Sequence, residues 1–275
     1  QEEFIHATEA EVLYGGAAGG GKSYGQLIDA LLFALKYPKS RQLILRRTFP
    51  ELKRSLILKS WEIFPKSIAY YRETLKSWKF IGGSVIEFGY CDMDTDVYQY
   101  QSAEYDVIRF DELTHFTEFQ YTYLISRVRG VNDYPKQIKS TTNPGGVGHT
   151  WVKKRFIDGK HKNRIFIPAR IVDNKFLMQS DPAYIKRLEQ LGENERRALL
   201  YGEWELDFGQ YFPELERQIH ITPPMEILPD YRKYVCMDYG FDCFACYWIY
   251  LDREGFAHVY RERYLEGLIV SEAAR

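Results

Sequence analysis

Short apolar runs alternate with longer amphipathic stretches through the first 150 residues of this chain. Glu11-Val12-Leu13-Tyr14, Gln42 to Leu45, Val107 to Phe110 and Gln137 to Thr142 have the length and bounding residues of buried strands. Between them, Tyr24 to Tyr37 reads as an amphipathic helix stopped by Pro38, and residues 50–64 read as a second helix with Glu51 in its first turn. Thr117 to Arg129 reads as a third. Trp78 to Ile81 and Ser84 to Phe88 flank Gly82-Gly83, a hairpin signal. This alternation predicts an α/β domain with a mostly parallel central sheet over residues 1–163.

From Arg164 the pattern changes. A short strand at Ile165-Phe166-Ile167-Pro168 precedes two helical stretches. One is opened by Asp181 as N-cap and Pro182 at the first helical position, and the other runs from Glu193 to Tyr201 and stops at Gly202. Residues 164–222 are therefore expected to form a small helical appendage and linker, set apart from the sheet. Pro223-Pro224 and Pro229 mark the linker's end. Tyr234 to Tyr239, Phe244 to Leu251 and Phe256 to Glu262 then predict three successive strands in a third region, 223–275.

Composition narrows the class without naming it. The chain is 45% hydrophobic and 27% charged, with no apolar run of membrane-spanning length. Its first residue, Gln1, reads as the start of a trimmed chain. The four cysteines do not suggest a disulfide framework; Cys243 and Cys246 form a lone C-x-x-C in an apolar run, which favours buried reduced thiols over zinc and points to the cytoplasm. A net charge of −1 conceals two basic stretches. Residues 36–60 hold eight Lys/Arg against Glu51, and residues 151–170 hold seven against Asp158. Such stretches either track a polyanion such as DNA or form ordinary solvated faces.

The chemistry is carried by Gly16-Ala17-Ala18-Gly19-Gly20-Gly21-Lys22-Ser23, a complete G-x-x-x-x-G-K-S loop between a strand and a helix. Glycines let successive N–H groups point inward at the β- and γ-phosphates; Lys22 reaches those phosphates and Ser23 ligates Mg²⁺. Asp111 and Glu112 follow an apolar strand about ninety residues later. There Asp111 would hold the metal from its far side and Glu112 would polarise the attacking water. That pairing favours ATP-driven work over a GTP switch, and no N-K-x-D guanine-reading motif occurs. Ser140, Thr141, Thr142 and Asn143 end a further strand, where hydroxyls and an amide could sense the γ-phosphate. An arginine is expected on the developing charge, in cis or from a neighbouring subunit, with Arg46, Arg47, Arg127 and Arg129 as candidates.

Taken in order, these pieces resemble the large subunit of a tailed-phage terminase. The resemblance extends through Ile44-Leu45-Arg46-Arg47-Thr48, Tyr98 to Asp106, Asp173-Asn174, Asp181-Pro182-Ala183-Tyr184 and Tyr201-Gly202-Glu203-Trp204. It implies an ASCE-type P-loop NTPase with a small helical lid, using ATP and Mg²⁺ to drive double-stranded DNA into a procapsid. Implied partners are DNA, the portal and procapsid, a terminase small subunit and further copies of the chain in a ring, all in the host cytoplasm. The family reads adenine through a Gln upstream of the phosphate loop, and Gln1 is the candidate here. It also carries an RNase H-like nuclease using Mg²⁺ or Mn²⁺. Val235 to Gly240 resembles that domain's first strand, with Asp238 as a metal ligand; Val259 to Glu262 resembles the strand carrying Glu262, and Asp242 is a possible outer contributor. Such a nuclease needs a further acidic ligand, so this stretch is expected not to cut DNA by itself. The competing readings are a helicase or repair ATPase, and a nuclease regulated by a P-loop domain.

Overall fold

The structure, a computed structural model, describes residues 1–159, 161–206, 217–240 and 243–265. The chain divides into two units, Gln1–Gly209 and Gln210–Arg275.

The first unit is built on eight strands: β1 Glu11–Gly16, β2 Arg41–Arg46, β3 Ala69–Arg72, β4 Ser77–Phe80, β5 Val85–Tyr90, β6 Val107–Asp111, β7 Gln137–Thr142 and β8 Arg164–Ala169. They lie in the order β3-β4-β5-β2-β6-β7-β1-β8. The six strands from β5 to β8 are parallel, while β3 and β4 join antiparallel at one edge. Helices cover both faces, which is why β6 and β7 are buried along their full length. On one face, helix Lys22–Lys36 and the helical stretch 49–63 pack with Ile44, Trp78, Ile86 and Phe88. On the other, helices Glu118–Ile125 and His149–Phe156 cover Leu43, Ile108 and Phe110. Alternation along each strand therefore sends Arg109, Asp111, Lys139 and Thr141 toward helix Lys22–Lys36.

Several expectations change. The strand at 164–169, grouped with the appendage on sequence grounds, is β8, paired in parallel register with β1 from Glu11↔Arg164 to Gly16↔Ala169. Its apolar residues complete the cover over β1 and the N-terminal helix Glu2–His6, which had no sequence signal of its own. The third helix ends at Ile125, and Val128 instead bridges to Tyr105. Asp181 caps no helix N-terminus. Asn174 caps helix Lys175–Ser180 by accepting from the Leu177 N–H at 3.2 Å, while Asp181 pairs with Arg187 ahead of helix Tyr184–Leu188.

Among its described residues the second unit contains three antiparallel strands, β9 Arg232–Tyr239, β10 Phe244–Leu251 and β11 Ala257–Leu265, in the order β11-β10-β9. Phe244, Cys246 and Tyr250 are buried on the central strand, whereas β9 is exposed throughout.

Candidate nucleotide-hydrolysis site

In a parallel sheet, the loops following the strands gather at one edge, and that edge collects the phosphate loop, Asp111, Glu112 and Asn143. The loop leaves β1 at Gly16 and enters helix Lys22–Lys36 at Lys22. Lys22 is buried, and its Nζ donates to Ala17 O at 2.6 Å and to Asn143 Oδ1 at 2.7 Å. Burial pulls its pKa below the ordinary lysine value, opposed by the nearby Glu112 and Asp111 charges. Ser23 Oγ donates to Asp111 Oδ1 at 2.8 Å, and Thr141 Oγ1 donates to the same oxygen at 2.7 Å. Arg46 Nη1 lies 2.5 Å from the other oxygen, Oδ2. A hydroxyl and a carboxylate in contact at the mouth of a phosphate loop are hard oxygen donors suited to Mg²⁺, which keeps its remaining positions for water and phosphate.

Glu112 follows Asp111 in a left-handed conformation, φ 58° and ψ 61°, which is uncommon for a residue with a side chain. Asn143 holds the carboxylate there. Its backbone N–H donates to Oε2 at 3.2 Å, and Nδ2 lies 3.3 and 3.4 Å from the two oxygens. Burial, then repulsion from Asp111, raises the Glu112 pKa against the pull of Lys22, Arg46 and His115. A carboxylate pushed upward beside a phosphate loop is matched to accept a proton from water. Beside it lies a cavity of about 300 Å³ lined by Arg46, Glu112, His115, Asn143 and, from the helical appendage, Glu195 and Leu199.

That appendage reaches the phosphate loop directly. The Ala18 N–H donates to Leu199 O at 2.7 Å, and Asn174 Nδ2 donates to Gly19 O at 2.6 Å. Gly202, at φ 70°, lies so close to Gly16 and Ala17 that an added Cβ would stand 2.5 Å from the Ala17 nitrogen. At the other side of the loop, Gln1 Nε2 donates to Gly21 O at 3.3 Å. A Cβ on Gly21 (φ 73°) would sit 2.2 Å from that nitrogen, so a side chain there would displace the Gln1 amide.

Of the other expected residues, Thr142 shares a 2.8 Å hydroxyl contact with Thr114, whose Oγ1 donates to Asn143 O at 3.0 Å. Ser140 faces the opposite layer, and its buried Oγ has no hydrogen-bond partner among the described residues. Arg47 is adjacent, donating to His115 O at 2.9 Å. Arg127 and Arg129 flank Val128 beside Tyr105, ahead of β6. They therefore lie at the opposite sheet edge, roughly 20 Å from Glu112 along the strand direction. In the basic stretches, Arg155 and Arg164 are spent on Glu11. Lys36, Lys39, Arg41, Lys53, Arg54, Lys59, Lys154, Lys162 and Arg170 are exposed; Lys160 lies outside the described residues.

In the second unit, Asp238 pairs with Ala245, and Glu262 with Tyr247. The register puts both acids on one face, either side of β10 and roughly 12 Å apart between Cα atoms. Among the described residues no group of three or more His, Cys, Asp or Glu could hold a metal ion, and Asp242 is outside them. Cys246 is buried and Cys243 half-buried.

A phosphate loop facing a serine–aspartate pair and a glutamate, on a sheet where β7 separates β1 from β6, makes this chain a P-loop NTPase. Residues 13–219 match the family described as terminase large subunit, T4likevirus-type, N-terminal, and the chain belongs to that family. Among solved structures it is similar to the large terminase of a thermophilic bacteriophage in complex with ADP, at 16% identity and a TM-score of 0.64, over 97% of this chain and 68% of that one. It is also similar to the large terminase of bacteriophage HK97, at 14% identity and a TM-score of 0.54, over 95% of this chain and 60% of that one. A mutant ATPase domain of the large terminase from Thermus phage P74-26 matches at 16% identity and a TM-score of 0.51, over 71% of this chain and 89% of that one. At these identities the likeness is one of fold. No curated protein matches the chain by sequence.

Proposed function

We propose that this chain is the ATP-hydrolysing subunit of a motor that drives double-stranded DNA into a viral procapsid. The observation carrying this reading is the placement of Glu112 against Asn143 beside Lys22 and the Ser23–Asp111 pair. Lys22 exchanges its bonds to Ala17 O and Asn143 Oδ1 for β- and γ-phosphate oxygens. Ser23 and Asp111 would hold Mg²⁺, which supplies charge neutralisation at those oxygens. Glu112 accepts the proton of the in-line water. Asn143 touches both Lys22 and Glu112, so loss of the γ-phosphate changes its partners. The change passes along Thr142 and Thr114 and, through Leu199 and Gly202, to the helical lid.

The arginine acting on the same chain's nucleotide is Arg46 or Arg47; Arg127 and Arg129, at the other end of the strands, would act on the nucleotide of a neighbouring subunit in a ring. The exposed cations of the two basic stretches supply the DNA-facing charge. The portal, the small subunit and other copies of the chain are the assembly partners, acting in the host cytoplasm; among the described residues no helix is long and apolar enough to cross a membrane. Asp238 and Glu262 belong to a two-metal, Mg²⁺- or Mn²⁺-dependent nuclease of the complete protein.

The test is DNase protection of linear DNA mixed with purified procapsids, protein and ATP. Protected DNA is expected with the wild-type protein and none with Lys22→Ala. DNA-stimulated ATP hydrolysis with no binding to portal or procapsid would instead favour a helicase or repair enzyme.

A further inference from the structure

The peptide units of the phosphate loop are planar and trans, so the C=O and N–H of each point in opposite directions. A loop that aims N–H groups at a phosphate must therefore turn the preceding carbonyls outward, and each of those needs a donor of its own. Ala17 and Ala18 donate their own N–H groups to Ala169 O at 2.9 Å and Leu199 O at 2.7 Å, which leaves the cradle to the glycines that follow. Ahead of the Gly20 N–H, the Gly19 carbonyl accepts from Asn174 Nδ2 at 2.6 Å. Ahead of the Gly21 N–H, the Gly20 carbonyl accepts from the Tyr14 hydroxyl at 3.1 Å. Ahead of the Lys22 N–H, the Gly21 carbonyl accepts from the Gly25 N–H at 2.9 Å.

The last of these bonds belongs to any helix that starts at such a loop. The first two do not, because their donors are side chains brought from outside it. Tyr14 lies on β1, buried, with its ring stacked on Phe4 at 5.5 Å between centroids. Burial, then the charge of Asp173, raises its pKa, so the hydroxyl keeps its proton and stays a donor. Asn174 comes from the helical lid. Its Oδ1 accepts from the Leu177 N–H at 3.2 Å and caps helix Lys175–Ser180, which leaves Nδ2 to reach the loop.

We infer that Tyr14 and Asn174 are positioning residues for the triphosphate: by drawing the Gly20 and Gly19 carbonyls outward, they fix the N–H groups of Gly21 and Gly20 toward the β- and γ-phosphates. This deepens, and rests on, the nucleotide-binding reading of the site. One of the two ties is a lid residue, so the lid completes the phosphate cradle as well as covering it. A peptide released from its tie is free to rotate its carbonyl toward the phosphate, where two partial negative charges repel. The loop's N–H groups hold the phosphate chain before and during cleavage alike, so losing a tie weakens binding more than it slows the chemical step.

The test sets inorganic tripolyphosphate beside ATP, because it carries the phosphate chain and no base. Kd for each is measured by calorimetry with Mg²⁺, and KM and kcat by phosphate release, for wild type, Tyr14→Phe, Asn174→Ser and Asn174→Ala. Phenylalanine keeps the ring on Phe4 and removes only the hydroxyl. Serine keeps an N-cap acceptor and loses the amide. Tyr14→Phe and Asn174→Ser should each raise Kd for ATP and for tripolyphosphate by the same factor, about 3–10-fold, with KM following and kcat within about 3-fold of wild type. Asn174→Ala should weaken binding by at least as much and also unfold at a lower temperature, since it loses the cap. Wild-type Kd values in Asn174→Ser, with a loss only in Asn174→Ala, would reduce Asn174 to a helix cap and overturn the proposal. Unchanged tripolyphosphate binding in Tyr14→Phe, or a fall in kcat with no change in Kd, would overturn it too. If Tyr14→Phe does not fold, Asn174→Ser carries the test. The expected losses in a protein that binds tripolyphosphate but cleaves no ATP support the proposal and remove the ATPase reading; wild-type protein that binds neither overturns both.

Discussion

The two edges of the central sheet treat a half-buried glutamate in opposite ways. At the edge where β1 begins, Glu11 receives Arg155 at 2.8 and 3.1 Å, Arg164 at 2.9 Å and the Tyr121 hydroxyl at 2.7 Å. Burial raises its pKa, but the hydrogen bonds from Arg155, Tyr121 and Arg164 outweigh it, and the net shift is downward. At the edge where β6 ends, Glu112 is met by Asn143 amides and has Asp111 as its neighbour; burial and that repulsion prevail, and the net shift is upward. The same side chain is thus saturated with cations at one edge and left short of them at the other. Saturation yields a structural clamp joining β1, β8 and helix His149–Phe156. A deficit yields a group ready to take a proton or sit near a metal.

Four substitutions break or sharpen this contrast. The largest effect belongs to Lys22→Ala, which removes the buried cation of the deficient edge. ATP turnover should fall by at least about 10³-fold in a phosphate-release assay, since the loop loses the charged side chain that reaches the β- and γ-phosphates. Asn143→Ala comes next. It frees Glu112 and Lys22 from a shared partner, and kcat should drop about 10–100-fold with a smaller change in KM.

Glu11→Gln tests the saturated edge. It should destabilise the protein by about 1–3 kcal/mol in denaturant titration at neutral pH while leaving kcat within about 2-fold. Because the folded-state pKa of Glu11 is lowered, its contribution is complete above the ordinary value of 4.5 and is lost as pH falls through the folded value. The gap between variant and wild type should therefore close on acidification. The smallest effect is thermal. Glu112→Gln replaces a carboxyl group whose charged form burial and Asp111 disfavour, so its unfolding midpoint at pH 7 should rise by about 2–4 °C, opposite in sign to Glu11→Gln.

How much of this was readable beforehand depends on whether a signal is local. The phosphate loop, the strand ending in Asp111-Glu112 and the Gly82-Gly83 hairpin each lie within a dozen residues, and the structure places them as expected. Strand direction was not local: it sends Arg127 and Arg129 to the far edge while leaving Arg46 on Asp111, a distinction that spacing from Glu112 cannot reveal. Strand β8 read as part of the appendage because its partner, β1, lies about 150 residues away in sequence. In strand β7 the polar run 140–143 carries a strand-end signal, whereas Gln137 and Lys139 carry none of their own. In a half-exposed strand such residues face water; here the whole strand is buried, and each must find partners inside. A polar run between apolar neighbours in a parallel sheet is the signal that would have found them.

Single-turnover hydrolysis by Glu112→Gln at saturating ATP and Mg²⁺ bears most directly on the deficient edge as the seat of the chemistry. ATP should bind within a few-fold of the wild-type affinity and remain uncleaved, with the chemical step slowed by about 10²-fold or more. Phosphate release near the wild-type rate from that variant would contradict the assignment of Glu112 as the group that activates water.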